Sequence, residues 1–590
     1  MNTLAYLYIY DLKGYMPFEI NFNNHFNIKM DRMGIVHIIK THNPMEGLLG
    51  GNIYDINIIA GENGVGKTTL MKLIANLLTE KNYQEFDGDF NYFALFQIGR
   101  NTLKVKTSGT NPFAYNYQHP IEVESEESWL DPGRPIIYYS PFLDFNLMSI
   151  YNSSGNYPLI DLSSTQVVVS DLEEHYSEEE EDDLDTMEVE SHPLLRHKLK
   201  NARRQLAFIN TYGKVFKLPF NLPSTLEVKF HRLSVEGDDV SDDGNSIMED
   251  FRSRIAEHLR EYPENKLSKK DMALLLFLRN LLTFYFAAFN NDKSQSVLYH
   301  RYDAALKADI ESFDNQSPKR LIFLIERFFE TDEVFKSGIF LNLIALLRKK
   351  VNTNNVHFSD ANNLLTLTVK TNDDFIASVF NILNTPVKKQ GQERYILSAM
   401  SKFISFDWNN FSSGEKMFID LFSKLAEARS RLSKTGQPIL LLIDEGEMGF
   451  HPLWQIKYLS TLRDFINEVF FDHKLQLLLA THSPLVLSDF PKERVHLFKK
   501  TVRGRRYKVK SIGTFGQNIS ELLANEFFIE STLIGNLAKE YINNILEDIN
   551  RYQKQIPAGR VKNLRSRIEK IDDPLIYRLL LSQLENKQNA

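Results

Sequence analysis

Three stretches predict a mixed α/β fold: a phosphate-binding head, split by a long, largely helical insertion and followed by a helical carboxyl-terminal tail. The first is Gly61-Glu62-Asn63-Gly64-Val65-Gly66-Lys67-Thr68-Thr69, set between the apolar run 56–60 and the apolar helical segment 70–78. The second is the continuous apolar run 439–443 ending in Asp444-Glu445, the pattern of a buried parallel strand that delivers acids at its carboxyl end. The third lies between them, from Pro193 to about Asn384, where apolar residues recur at helical spacing in 272–289, 321–329 and 339–347.

The glycines of the first stretch let the backbone curl so that its N–H groups and the following helix N-terminus face a polyphosphate. Asn63, Gly64, Gly66, Lys67, Thr68 and Thr69 are therefore the expected nucleotide contacts. Lys67 is placed to reach the β- and γ-phosphates of ATP, and the Thr68 hydroxyl to hold Mg²⁺. In such a site the first acid of the second stretch, Asp444, holds the metal, and Glu445 orients and deprotonates the attacking water.

Bulk composition sets the frame. With 590 residues the chain has room for several domains, and 43% hydrophobic with 25% charged residues describes an ordinary globular protein. It has no cysteine, which excludes disulfides and thiolate metal sites and fits a cytoplasmic setting. The start Met1-Asn2-Thr3-Leu4 lacks the build of a signal peptide, and the longest apolar run, 272–289, is interrupted by Arg279 and Asn280, so no membrane span is expected. A net charge of -7 argues against wholesale coating of nucleic acid and leaves room for a local basic patch.

In chain order, 4–9 and 18–22 read as short strands, 92–96 with 103–105 as a hairpin, and 135–140 as a further strand. Between Asp171 and Glu190 stand twelve carboxylates and no Lys or Arg, a self-repelling block that reads as a solvated, mobile loop, the functional alternative being an acidic mimic of nucleic acid or a docking segment. Strict alternation makes 365–369 a strand within the helical stretch. Phe411-Ser412-Ser413-Gly414-Glu415-Lys416 follows strand-like 404–406 and opens a helix through Ala428. The apolar run 475–480 delivers Thr481-His482-Ser483-Pro484. The expected domains are a head lobe at 1–145, an insertion at 146–399, a second head lobe at 400–512 and a helical region at 513–590.

Together the P-loop, Ser412–Lys416, Asp444-Glu445 with Glu447-Met448-Gly449-Phe450-His451-Pro452, and His482 resemble the ATP-binding-cassette (ABC) ATPases, in the branch of the SMC, RecF and overcoming-lysogenization-defect (OLD) relatives. The resemblance covers the two flanks, 1–145 and 400–500. It implies that Ser412, Ser413, Gly414 and Glu415 form a signature motif touching the nucleotide of a second subunit, in a head-to-tail homodimer or higher oligomer. It also implies that His482 is a switch histidine and Glu445 the hydrolytic base. The family's glutamine loop is not placed; Gln97 is the better candidate and equally a hairpin residue. Transporter cassettes lack an insertion of this size before the signature.

Asp444-Glu445-Gly446-Glu447 with 451–455, then 513–523, Phe527-Phe528-Ile529 and 535–538, resemble the PtuA ATPases of Septu antiphage systems and some retrons. That likeness implies a partner HNH nuclease of the PtuB kind, and a reverse transcriptase with its retron DNA. OLD nucleases fuse such an ATPase to a toprim domain, which needs a Glu and an Asp-x-Asp cluster at strand ends. The chain after His482 is mostly helical, its Asp572-Asp573 pair stands in a turn before Pro574, and no toprim or His-Asn-His pattern is present, so no intrinsic nuclease is expected.

Lys499, Lys500, Arg503, Arg505, Arg506, Lys508 and Lys510 form an acid-free run around Gly504 as a hairpin tip. Lys499, Lys500, Arg503, Arg505 and Arg506 are the candidate nucleic-acid contacts; an exposed hairpin kept soluble by charge is the plainer reading. A second basic group, Arg560, Lys562, Arg565 and Arg567, lies on a helix. The expected function is an ATPase that regulates a separate nuclease in phage defence. The rival expectations are a RecF- or SMC-like DNA-repair ATPase that binds DNA itself, and a non-hydrolysing scaffold. The last is weakened by the presence of Lys67, Asp444, Glu445 and His482.

Overall fold

Apolar runs bounded by turn residues become the strands of this protein, and the longest of them lie side by side. A computed structural model describes residues 3–79, 91–143, 159–173, 193–231, 339–395, 404–525 and 535–589 apart from short breaks, with scattered positions between 268 and 323. Most of the acidic block 171–190, most of the runs 272–289 and 321–329, Lys510 and Phe527-Phe528-Ile529 lie outside the described residues. The chain forms two compact units, Met1–Phe515 and Gly516–Ala590.

The first unit opens with strands β1 (Thr3–Asp11), β2 (Phe18–Asn21), β3 (Phe26–Met30), β4 (Ile35–Lys40) and β5 (Ile53–Gly61), then helix α1 (Lys67–Thr79). Strands β6 (Asn91–Gln97), β7 (Thr102–Thr107), β8 (Ala114–Tyr117), β9 (Glu122–Glu124), β10 (Ile136–Tyr139) and β11 (Leu159–Asp161) follow. The insertion supplies α2 (Ser164–Glu173), α3 (Pro193–Tyr212), β12 (Thr225–His231), α4 (Ile339–Lys350), β13 (Val356–Ser359), β14 (Leu364–Lys370), α5 (Asp374–Leu383) and the hairpin β15 (Pro386–Lys389) and β16 (Gln392–Tyr395). The second lobe contains β17 (Ile404–Trp408), α6 (Ser413–Arg431), β18 (Ile439–Asp444), α7 (Pro452–Val469), β19 (Leu475–Thr481), α8 (Pro484–Leu487), β20 (Val495–Lys500) and β21 (Arg506–Val509).

The two lobes share one seven-stranded sheet, in the order β11-β10-β18-β19-β5-β20-β21. All its neighbours are parallel except the terminal pair β20–β21. Parallel strands covered on both faces read as unbroken apolar runs, and β18 and β19 are buried along their whole length. Ile59, Leu440, Leu442 and Leu478 join Leu70, Leu73 and Ile74 of α1 in a core that also takes in Leu7, Ile20 and Phe96 of an antiparallel sheet, β2-β1-β6-β7-β9. That core fixes the helix behind the P-loop. Helix α6 packs through aromatic rings: the Phe418 centroid lies 4.8 Å from that of Phe450 in the turn before α7, and Phe422 lies 4.8 Å from Phe465 of α7.

The insertion is tied to the second lobe by a strand as well as by helices. β12 pairs antiparallel with both β14 and β17 in a four-stranded sheet, β13-β14-β12-β17. Its alternation of buried Leu226, Val228 and Phe230 is the period-two signal of a strand, and the reading of this stretch as mainly helical passed over it. Arg204 of α3 bonds Asp171 of α2 at 2.7 Å and Glu427 of α6 at 2.7 Å, so the expected solvated loop does not begin at Asp171, which is buried in a helix because cations of α3 pair with it.

The second unit contains α9 (Ile519–Asn525), α10 (Asn536–Asn550), α11 (Ala558–Ile568) and α12 (Pro574–Asn589). The last three helices close around Ile545, Ile549, Val561, Leu564, Ile568, Leu580 and Leu584. Among the described residues no helix is long and apolar enough to cross a membrane.

Candidate nucleotide site

Neighbouring strands β18, β19 and β5 end at one edge of the central sheet, and each carries a predicted group to it. Asp444 stands opposite Ala480, and Thr481 opposite Ala60, so the acids, His482 and the P-loop converge from hundreds of residues apart in sequence. The P-loop needs its glycines: Gly61, Gly64 and Gly66 have φ of 143°, 70° and 85°. A Cβ on Gly66 would stand 1.9 Å from the Tyr15 hydroxyl, and one on Gly61 2.1 Å from the Phe498 carbonyl oxygen. Backbone can approach that closely only where no side chain intervenes.

Lys67 is 4% exposed and its Nζ donates to the carbonyls of Gly61 and Glu62, each at 3.5 Å. Its ammonium also meets both ring nitrogens of His482, Nδ1 at 3.2 Å. His482 Nε2 in turn lies 3.0 Å from Glu445 Oε1. Burial brings the Lys67 pKa down to about 8, against the opposing pull of Glu445, Asp444 and Glu447. The four predicted chemical groups thus form one cluster at the mouth of the P-loop.

Asp444 is 1% exposed, and burial pushes its pKa up to about 6, with the Thr68 side chain and then Lys67 among the groups acting the other way. The Thr68 hydroxyl is close enough to act on it, yet neither carboxylate oxygen makes a hydrogen bond of ordinary geometry. A buried carboxylate with both oxygens unused, next to a threonine hydroxyl, is the oxygen donor set that Mg²⁺ takes beside substrate phosphates. Among the described residues no group of three or more His, Asp or Glu side chains is gathered to hold a metal by itself.

Glu445 holds a left-handed backbone, φ 51°, pinned by its N–H on the Ala480 carbonyl (2.9 Å) and by its own carbonyl accepting from Met448 N–H (3.0 Å). That conformation, rare outside glycine and asparagine, turns the side chain off the strand toward His482. The next acid, Glu447, escaped the site reading from sequence. It is buried, accepts from the Thr481 hydroxyl, and is pushed by burial up to about 7. It stands in both stretches that carry the family resemblance, but no role is expected of it there.

Ser412 caps α6. Its hydroxyl accepts from Glu415 N–H at 3.3 Å, while the Glu415 carboxylate accepts from Ser412 N–H at 2.8 Å, a reciprocal capping box. Asn410 just before it has φ 58°. A Cβ on Gly414 would lie 2.8 Å from the Gly449 carbonyl, so the signature glycine packs directly against the turn that follows the acids. No described hydrogen bond or ion pair of Ser412 or Glu415 reaches the P-loop of the same chain.

Gln97 takes no part in the cluster. It is buried at the end of β6, bonded to Asn23, to the Tyr54 hydroxyl and to the Gly99 carbonyl (2.6, 2.6 and 3.0 Å), and Tyr54 belongs to the opposite end of β5 from the P-loop. The basic run is divided by its own hairpin. Arg503 and Arg505 are exposed at the tip, Lys508 donates to the Glu19 carbonyl at 2.6 Å, and Lys500 and Arg506 lie against the P-loop.

This sheet, with a P-loop and two acids at its carboxyl edge, defines a P-loop ATPase, which binds and hydrolyses ATP. The chain belongs to the AAA ATPase domain family, whose model matches residues 13–487. It is similar to the "Retron Vc95 probable ATPase" of Vibrio cholerae serotype O1 biovar El Tor, 30% identical over 26% of this chain and 28% of that protein. It is also similar to "Protein ea59" of Escherichia phage lambda, 28% identical over 21% of this chain and 22% of that protein. The matched stretches thus span about a quarter of these curated relatives. The solved structure titled "Structure of the recombination mediator protein RecF-ATPrS in RecFOR pathway" aligns over 86% of this chain and 98% of its own at 13% identity. Its TM-score of 0.22 is too low to define a shared architecture.

Proposed function

We propose that this chain is the ATPase subunit of an antiphage defence complex of the PtuA kind, and that it restrains or licenses a separate HNH nuclease. The observation that carries the reading is the joining of a complete hydrolytic cluster to a stretch similar to a retron ATPase. In the cluster Lys67 would take the β- and γ-phosphates, and Asp444 with Thr68 would hold Mg²⁺, which would neutralise phosphate charge. Glu445 removes the proton of the attacking water, and His482 holds Glu445 in place through its 3.0 Å contact.

The exposed N-terminus of α6 supports an ABC-type arrangement in which Ser412, Ser413, Gly414 and Glu415 meet the nucleotide of a second copy. A cytoplasmic setting, a reverse transcriptase and retron DNA complete the proposed surroundings. Phage plaque counts on cells carrying the gene with its genomic neighbours test the reading. Protection should vanish with Lys67→Ala and with deletion of a neighbouring nuclease gene, while the purified chain with ATP and Mg²⁺ leaves plasmid and tRNA intact. Protection that survives both changes would sink the proposal. Nucleotide-dependent DNA binding by the isolated chain would favour a DNA-repair ATPase instead.

A further inference from the structure

The basic hairpin after His482 occupies a place that its sequence does not disclose. β20 runs parallel to β5 with Phe498 opposite Gly61, so the chain leaves the sheet beside the P-loop. Lys500, at the end of β20, brings its Nζ to 2.8 Å from where a Cβ on Gly64 would stand. The chain turns at Gly504, φ 80°, and Arg506 returns opposite Lys500. Its guanidinium carbon stands 4.9 Å from the centroid of the Tyr15 ring and 3.5 Å from the Cβ position of Gly66.

Tyr15 ties this arrangement to the loop. Its hydroxyl donates toward the carbonyls of Val65 at 3.2 Å and Gly66 at 3.1 Å. The Arg506 backbone is locked on both sides, its N–H on the Gly14 carbonyl (2.9 Å) and its carbonyl accepting from Met16 N–H (2.7 Å). Yet Arg506 Nε is buried without a hydrogen-bond partner, and neither Lys500 nor Arg506 has an ion-pair partner among the described residues. Lys508, two residues on, differs by bonding the Glu19 carbonyl.

We infer that Lys500, at the end of β20, and Arg506, held over the P-loop by Tyr15, are phosphate-binding residues of the nucleotide site that act beside Lys67. The inference rests on the reading of this edge as a triphosphate site. A cation with a buried, unused donor is costly unless an anion completes it. The P-loop amides already face a polyphosphate, and the planar guanidinium fork suits phosphate oxygens. Lys500 is exposed like the tip residues Arg503 and Arg505, but it and Arg506 lie against the P-loop glycines, so they face the loop's polyphosphate as the tip residues do not.

Fluorescent ATP, ADP and AMP analogues, titrated against the full chain, test this. Lys500→Met and Arg506→Gln keep side-chain length while removing charge, and thermal melting of the ligand-free variants confirms that they fold. Each should weaken ATP binding by about tenfold to a hundredfold. The loss should be smaller for ADP and smallest for AMP, and absent from an Arg503→Gln/Arg505→Gln control. Folded variants that bind ATP like wild type would overturn the inference, as would equal losses for all three nucleotides. Intact ATP binding with lost duplex-DNA binding would overturn it and give the two residues to nucleic acid. Wild-type protein that bound no ATP would overturn the nucleotide site itself along with the inference.

Discussion

Glu445 is held in a backbone conformation that costs a non-glycine residue about 1–2 kcal/mol, and two backbone hydrogen bonds keep it there. That conformation aims the carboxylate at His482, which in turn meets Lys67, the placement that the proposed base at the phosphate edge requires. Glu445→Gln keeps the shape and the strain but removes the basicity. It should retain ATP on a filter while slowing single-turnover hydrolysis by about 10²–10⁴-fold. Hydrolysis at the wild-type rate would remove Glu445 from the role of base. Glu447 makes a different prediction. Burial raises its pKa from 4.5 to about 7, so the folded chain keeps a proton that the unfolded chain releases between those values. Its contribution to stability is therefore full below about pH 4.5 and is lost as pH climbs through about 7, by about 3 kcal/mol at most. Melting temperatures of nucleotide-free wild type should fall relative to Glu447→Gln from pH 5 to pH 7 and run parallel above that. A constant offset between the two across the range would show that Glu447 is ionised throughout.

Among the elements, the P-loop is the one most exposed to a single added atom. Gly66→Ala places a methyl group 1.9 Å from the Tyr15 hydroxyl at φ 85°, so both space and backbone oppose it. Tyr15→Phe removes that oxygen and leaves ring carbon Cζ as the nearest obstacle, at 3.1 Å. The double variant Gly66→Ala/Tyr15→Phe should therefore bind ATP better than Gly66→Ala alone, a non-additivity of the kind that contacting residues show. Strictly additive losses would mean that the backbone at Gly66, rather than the clash, sets the cost. The strands around this loop were legible because burial on both faces leaves an uninterrupted apolar signature, as in Leu440-Leu441-Leu442-Ile443. Strand order was not, because nothing local in β5 records that β19 and β20 flank it. The basic run illustrates the same limit. Composition shows seven cations in a row of short spacing, but hairpin pairing sends Lys500 and Arg506 to the P-loop, Lys508 under Glu19 and Arg503 to solvent. Glu447 could not be singled out because the partner that marks it, the Thr481 hydroxyl, reaches it from the neighbouring strand and not from its own stretch of sequence.

For the whole molecule, the decisive question is whether one chain completes its own ATP site. In the first unit, Lys67, Asp444, Glu445 and His482 gather at one edge, whereas the described bonds of the Ser412 and Glu415 side chains stay within the cap at the exposed start of α6. Met448, Leu453 and Ile456, from the turn and helix that pack against Gly414, are exposed apolar side chains. In the ABC-type dimer proposed above, a second copy would cover them and present its P-loop to Ser412. Lys67→Ala and Ser412→Arg, each alone, should then be nearly inactive, because every site in such a homodimer carries one defect. A mixed dimer gathers both defects into one composite site and leaves the other whole. Mixing the two proteins under subunit-exchange conditions should recover part of the wild-type ATPase rate, provided one intact site can turn over. Lys67→Ala mixed with the double variant is the control, since no combination there yields a whole site. Recovery in the first mixture alone establishes shared sites. Wild-type turnover by Ser412→Arg would reduce residues 411–416 to a helix cap and leave each chain hydrolysing ATP by itself.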